Sequence, residues 1–332
     1  MRVKCLKINS FRGISNMTLE FYDTQPTVFI GVNGVGKSSI LDCLTILISK
    51  FIAPIQFDPQ STESCKKRWG FDSYREWEQI RAKGRFFNGE DIKNGYNDTQ
   101  NEISISLENS ADLRWSFNFK EDSETLNKDL GELEQVTTII RDSWKSSPEA
   151  NIPLAVYYPV NRTVSEVNLE ITNQNKVAQV NAYEKALDGG NIGFRSFFQW
   201  FRAVEDVENE ELRENPRYRD ERLEAVRQAI YSLLGEEFSK LRVRRSPLRM
   251  TIKKQSEELI IDQLSDGEKG LLAMVGDLAR RLAIASPGLC DPLQGSGVVL
   301  IDEIELHLHP KWQREIIPAL TRTKPFNRLR FA

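Results

Sequence analysis

The chain has 332 residues, 40% of them hydrophobic and 28% charged, with a formal net charge of −3. That length allows one large domain or two ordinary ones around a sizeable core, and the composition is that of a globular chain. The charge balance excludes a globally basic nucleic-acid binder, so any such contact has to come from a local patch. Cys5, Cys43, Cys65 and Cys290 are scattered without C-x-x-C spacing, which argues against a zinc site or a disulfide framework and fits a reducing cytoplasm. The most apolar run, Ile40 to Phe51, is broken by Asp42, Ser49 and Lys50 and is too short to span a bilayer, and the N-terminus lacks a signal-peptide layout, so no membrane is expected.

Taken in order, Arg2 to Ile8 and Met17 to Phe21 alternate apolar and polar residues around a turn at Asn9 to Ile14, which predicts a hairpin. Thr27 to Ile30 is a short apolar run and is expected to be a strand. It leads into Gly31-Val32-Asn33-Gly34-Val35-Gly36-Lys37-Ser38-Ser39, which meets G-x-x-x-x-G-K-[ST] at every fixed position, and a helical pattern follows from Ile40 to Leu47. Such glycines let backbone N–H groups turn inward as an anion nest, at the positive end of the new helix. Asn33 to Ser39 are therefore candidate nucleotide contacts, with Lys37 on the β- and γ-phosphates and Ser38 on Mg²⁺. Arg12, just past the first strand, is either a nucleotide contact or a surface arginine.

Residues 52–90 show little periodicity and are not assigned. Ile103 to Leu107 and Leu113 to Phe119 are period-2 runs that predict an antiparallel pair, and a helix with loops is expected within 120–150. Ile152 to Val160 reads as a buried strand with Arg162 just past its end, where ligands of parallel sheets bind; a loop arginine is the equal alternative. Phe194 to Phe238 is helical, and its cluster Phe197, Phe198, Trp200 and Phe201 has the spacing of core or subunit contact rather than a base-stacking platform. Leu241 to Asp262 reads as short strands carrying Arg242, Arg244, Arg245, Arg249, Lys253 and Lys254. This basic stretch is either a nucleic-acid backbone contact or a solvated strand face.

Gln263-Leu264-Ser265-Asp266-Gly267-Glu268-Lys269 opens a helix with apolar positions at Leu271, Leu272, Val275, Leu278 and Leu282. About 30 residues on, Gly297 to Ile301 followed by Asp302-Glu303 reads as a buried strand ending in two carboxylates. Asp302 is expected to hold Mg²⁺ and Glu303 to orient or deprotonate an attacking water. His307 and His309 are two residues apart, but no third ligand accompanies them, which argues against zinc.

These stretches together resemble ABC-type ATPases of the RecF, SMC and OLD group. Gln263 to Lys269 is similar to their LSGGQ signature in its LSGGE-like form, with Asp266 in place of the first glycine, and Glu305 to Pro310 is similar to their E-x-H-L-H-P segment. The resemblance implies an α/β phosphate-loop ATPase head with a mixed β-sheet, an antiparallel β lobe and a helical insert, here one domain over 1–332 with the insert at 163–238. It also implies that Ser265, Gly267 and Glu268 meet the γ-phosphate of ATP bound to another subunit, giving a homodimer or higher oligomer with ATP and Mg²⁺ at its interface. Within the group, Gln263 to Lys269 and Leu300 to Pro310 look like the PtuA-type ATPases of Septu and retron anti-phage systems. That implies an HNH nuclease partner and, in retrons, a reverse transcriptase with its DNA–RNA product.

The chain departs from the family pattern after the Trp312 helix, where Lys324 to Ala332 replaces a further strand and a switch histidine, so a shortened C-terminus and impaired hydrolysis are expected. Gln56, Gln60 and Gln100 are equal candidates for the family's Q-loop glutamine. The competing readings are a defence ATPase that controls a toxic partner, a RecF-like DNA repair ATPase, and a clamp that binds ATP without hydrolysing it.

Overall fold

The computed structural model describes residues 1–22, 26–56, 84–107, 112–120, 123–126, 130–160, 179–190, 194–306, 308, 310–322 and 329–331. The expected hairpin is present as β1 (Arg2–Phe11) and β2 (Ile14–Glu20), paired with Leu6 opposite Leu19 and Ile8 opposite Met17. Its turn sets Ser10 and Arg12 at positive φ, 54° and 47°. β3 (Asp98–Ser106), β4 (Leu113–Lys120) and β5 (Ser123–Leu126) extend the hairpin into a five-stranded antiparallel sheet of order β2-β1-β3-β4-β5. The period-2 pattern buries Leu6, Ile8, Ile103, Ile105, Trp115 and Phe117 on one face.

Helix α1 (Lys37–Gln56) lies on that face and is buried almost all round, because it touches the antiparallel sheet on one side and a second, parallel sheet on the other. Trp115 donates its indole N–H to the Leu47 carbonyl at 3.1 Å and stacks against Phe51. Among the described residues α1 alone is long and apolar enough to cross a membrane, but 78% of its apolar window is buried inside the fold, as in a core helix. Helix α2 (Leu130–Ser146) packs beside it, and Arg141 donates to the Pro54 carbonyl at 2.8 Å.

The parallel sheet has the order β11-β10-β6, made of β6 (Leu154–Tyr158), β10 (Gly297–Ile301) and β11 (Leu329–Phe331). β6 and β10 are buried throughout, as their continuous apolar runs predict. Gly297 is required there: a Cβ would stand 2.4 Å from the Leu154 carbonyl oxygen. One expected element is corrected here. Thr27 to Ile30 pairs with no strand among the described residues; the parallel sheet is β11-β10-β6 without it. Val28 and Ile30 are consequently 50% and 92% exposed, whereas Phe29 packs on the core.

Helices α3 (Phe194–Glu214), α4 (Glu221–Leu234) and α5 (Asp266–Ala285) form a layer behind the parallel sheet. The aromatic cluster of α3 is core: Phe197, Phe198, Trp200 and Phe201 are all buried, and Gly276 of α5 is small enough to let the Phe197 ring approach. Asp220 caps α4 by accepting from the N–H groups of Arg222 and Leu223. β7 (Phe238–Arg245), β8 (Leu248–Lys254) and β9 (Glu257–Ile260) make a separate antiparallel sheet. Its basic strip is largely neutralised within the fold. Arg242 and Arg244 both bind Glu258, Arg245 binds Glu205 and Asp206, and Lys254 binds Glu268.

Candidate nucleotide site

The loop from Gly31 to Gly36 is an exposed bend that only its glycines make possible. Gly34 and Gly36 take φ of 83° and 103°, a region that L side chains occupy at a cost. Asn33, Gly34 and Val35 are exposed, and Gly36, Lys37 and Ser39 are half-buried. Helix α1 opens at Lys37 with no acidic residue in its first turn, so its initial N–H groups are not countered by a charge of their own. Lys37 bends back over the loop, donating to the carbonyls of Gly31 at 2.8 Å and Val32 at 3.0 Å. Its ammonium therefore sits at the mouth of the loop, with Ser38 exposed beside it.

β10 brings the acidic pair to the same place. A cavity of about 110 Å³ is lined by Lys37, Asp302, Glu303 and Glu305, with Val28 and Leu41 among its apolar walls. Asp302 is 5% exposed and donates its backbone N–H to the Tyr158 carbonyl at 2.9 Å, which extends the β6–β10 ladder one residue past the strand. Glu303 follows the ladder at φ 44°, a conformation that costs a non-glycine residue about 1–3 kcal/mol, and it lines the same cavity. The expected meeting of phosphate loop and acidic strand is thus formed within one chain.

Arg12 lies beside this site but is engaged by protein. Its Nη1 donates to Asp42 at 2.5 Å and its Nε to Asp91 at 2.9 Å, while its backbone N–H donates to the Asp91 carbonyl. Burial works against its charge, but the bonds to Asp42 and Asp91 prevail and hold the guanidinium pKa above its ordinary value. Arg162 and both histidines fall outside the described residues, as does Gln60. Gln56 closes α1, Gln100 lies in β3, and neither lines the cavity.

The signature residues form the N-terminus of α5. Ser265 is the N-cap and Glu268 completes a reciprocal capping box, its Oε2 accepting from the Ser265 backbone N–H at 3.0 Å and the hydroxyl at 2.8 Å. Lys254 donates to the other oxygen of Glu268 at 2.7 Å. Burial pushes the Glu268 carboxyl up, but Lys254 and Ser265 outweigh it and hold the pKa below the ordinary value. Ser265 is exposed, and Ser265, Gly267 and Glu268 do not line the cavity that holds Lys37.

Two groups escaped sequence reasoning. Asp42 stands one helical turn beyond Ser38 on the same face of α1, a spacing visible in the sequence. Asp277, Arg280 and Arg281 are fully buried together on α5, where nothing but the fold distinguishes them from a solvated charged face.

A family model, AAA_21, described as "AAA domain, putative AbiEii toxin, Type IV TA system", matches residues 27–331. Two relatives are similar along nearly the whole chain. "Retron Ec83 probable ATPase" of Escherichia coli is 27% identical over 97% of this chain and 66% of its own length. "Retron Vc95 probable ATPase" of Vibrio cholerae serotype O1 biovar El Tor is 27% identical over 98% of this chain and 68% of its own. The chain thus spans about two thirds of the length of these relatives. Among solved structures, an SMC head bound to the C-terminal winged-helix domain of ScpA aligns with a TM-score of 0.51 at 14% identity, covering 100% of this chain and 88% of that one. The fold is accordingly that of an SMC-type ATPase head, and with the match running from the segment before the phosphate loop to β11 this chain belongs to the AAA_21 family.

Proposed function

We propose that this chain is a single ABC-type ATPase head that binds and hydrolyses ATP with Mg²⁺, and that it serves a retron-type anti-phage system by controlling a partner nuclease in the cytoplasm. The observation that carries the ATPase reading is the one cavity shared by Lys37, Asp302 and Glu303. A phosphate seated on the loop takes the place of the Gly31 and Val32 carbonyls as partner of the Lys37 ammonium. The N–H groups of Asn33 to Ser39 cradle it, with Arg12 beside them once Asp42 or Asp91 releases it. The Ser38 hydroxyl and the Asp302 carboxylate are hard oxygen donors of the kind Mg²⁺ takes. Bound there, the ion offsets charge on the phosphate oxygens. Glu303, on the wall of the same cavity, orients and deprotonates the attacking water.

The α5 N-terminus, with Ser265 exposed and Gly267 and Glu268 half-buried, supports a second half of the site supplied by another copy, so that ATP clamps a dimer. The likeness to two retron ATPases supports a defence role; an HNH nuclease and a reverse transcriptase with its DNA–RNA product are the partners that the PtuA-type resemblance implies. The test has two parts. ATP turnover should disappear in Glu303→Gln while ATP binding stays, and equal turnover in both proteins removes the role assigned to Glu303. Purification from the native host with ATP should recover the nuclease; recovery of DNA or recombination proteins alone moves the assignment to repair.

A further inference from the structure

Arg12 is held by its two carboxylates in unequal ways. Toward Asp91 it makes two bonds, from its backbone N–H to the carbonyl and from Nε to Oδ1, both at 2.9 Å. Asp91 is 2% exposed and fixed in turn, its Oδ2 accepting the Asn88 N–H at 3.1 Å. The Lys93 N–H donates to the Ser10 carbonyl at 2.9 Å, so the 88–93 segment grips the β1–β2 turn on both sides of Phe11 and holds Ser10 and Arg12 at positive φ. The buried Phe11 ring lies 5.0 Å from the guanidinium carbon. Toward Asp42 there is one bond, from Nη1, and that carboxylate is 20% exposed against 3% for Asp91. Among the described residues the second terminal nitrogen, Nη2, has no hydrogen-bond partner. The turn also abuts the phosphate loop, since a Cβ on Gly36 would meet Ile14 at 3.6 Å. Asp42 follows Leu41, which lines the cavity with Lys37. Both cations therefore rest on protein acceptors at the nucleotide site, Lys37 on loop carbonyls and Arg12 on Asp42.

We propose that Arg12 is a latch on the phosphate site, with Asp91 as its pivot and Asp42 as a built-in competitor for the nucleotide phosphate. The inference rests on the ATPase reading above. A guanidinium carries five N–H donors in a rigid fork, so it can keep one carboxylate while it exchanges another acceptor. The order of release follows from burial. The pair with Asp42 is the more exposed and the weaker, whereas leaving Asp91 would strand a buried carboxylate. Phosphate oxygens form strong charge-assisted bonds with arginine and displace Asp42 first. Asp91 is then a positioning residue that keeps Arg12 at the site, and Asp42 sets how much of the phosphate bond is spent on opening it. The two carboxylates thus act on ATP binding with opposite sign, although simple repulsion of an anion would give both the same sign.

The experiment is Asp42→Asn, Asp91→Asn, Arg12→Ala and the double variant Asp42→Asn with Arg12→Ala in the full chain, measuring ATP affinity by equilibrium titration with Mg²⁺, and the urea midpoint. Asp42→Asn should bind ATP about threefold more tightly, the scale of a partly exposed ion pair. Asp91→Asn should bind it about tenfold more weakly, the scale of a lost bond to a charged group. In the Arg12→Ala background, itself weaker than the wild type, Asp42→Asn should change nothing, because its effect runs through the arginine. If Asp91→Asn fails to fold, the cycle of Asp42 and Arg12 decides by itself. Three results overturn the latch: no tightening in Asp42→Asn, the same tightening with and without Arg12, or tightening in Asp91→Asn. A wild-type chain that binds ATP no better than Lys37→Ala overturns the ATPase reading itself, a result distinct from those three.

Discussion

The phosphate loop and Asp302 face one cavity but are held by opposite means. The loop is fixed from within: two glycines at positive φ set its curve, and Lys37 closes it by bonding two carbonyls only five and six residues back. Its apolar residues gain nothing from the core, for Val32 and Val35 are 78% and 60% exposed. Asp302 is fixed from outside, by a buried parallel ladder whose other strand lies about 140 residues earlier in the chain. A site assembled this way has one half that forms with local backbone geometry and one half that exists only when the whole sheet does.

That contrast can be broken first at the loop. Lys37→Ala should abolish detectable ATP binding in equilibrium titration while leaving the unfolding midpoint where it was, because the lysine bonds only exposed loop carbonyls. Preserved binding would mean that the cavity does not hold the phosphates. The core half should respond in stability instead. Asp277→Ala leaves Arg280 and Arg281 buried without their carboxylate, and a loss of about 3–5 kcal/mol is expected in urea unfolding. Gly297→Ala forces a Cβ against the Leu154 carbonyl, and about 1–3 kcal/mol should go, together with the placement of Asp302.

Acid should sharpen the same contrast. Burial raises the Asp277 pKa, but Arg281 and Arg280 overcome it and leave the folded carboxyl below the ordinary aspartate range. A depressed carboxylate contributes stability above its unfolded pKa and loses it as pH falls through the folded one. The wild type should therefore lose stability, as pH falls below the ordinary aspartate range, more steeply than Asp277→Asn, measured as unfolding midpoint against pH. Parallel curves would show that the cluster carries no pH-linked stability. The smallest effect belongs to the surface: Glu258→Gln, which loosens the exposed pairs with Arg242 and Arg244, should shift the urea midpoint least of all these variants.

Much of the site was legible because its chemistry is local. Glycine spacing with Lys37 and Ser38, the Ser265 and Glu268 capping pair, and four apolar residues before Asp302 each encode their own backbone geometry, and the structure forms all of them. The hairpin, β3 with β4, and β6 were equally legible from period and burial. Thr27 to Ile30 was misread for the opposite reason. Its composition suits a strand, but a strand exists only when paired, and no described strand pairs with this segment.

What the sequence determined by itself was the phosphate loop, the helix that follows it, the capped signature helix and the acidic strand, because short-range sterics and hydrogen bonds settle each. Only the tertiary structure decided which carboxylates are tied to other side chains and which line the cavity. Asp42, Asp91, Asp277 and Asp302 are alike in sequence. Three are bound to arginines, Asp42 and Asp91 to Arg12 from 30 and 79 positions away and Asp277 to Arg280 and Arg281 of its own helix, while the fourth lines the cavity beside Lys37 because β10 pairs with a strand about 140 residues earlier.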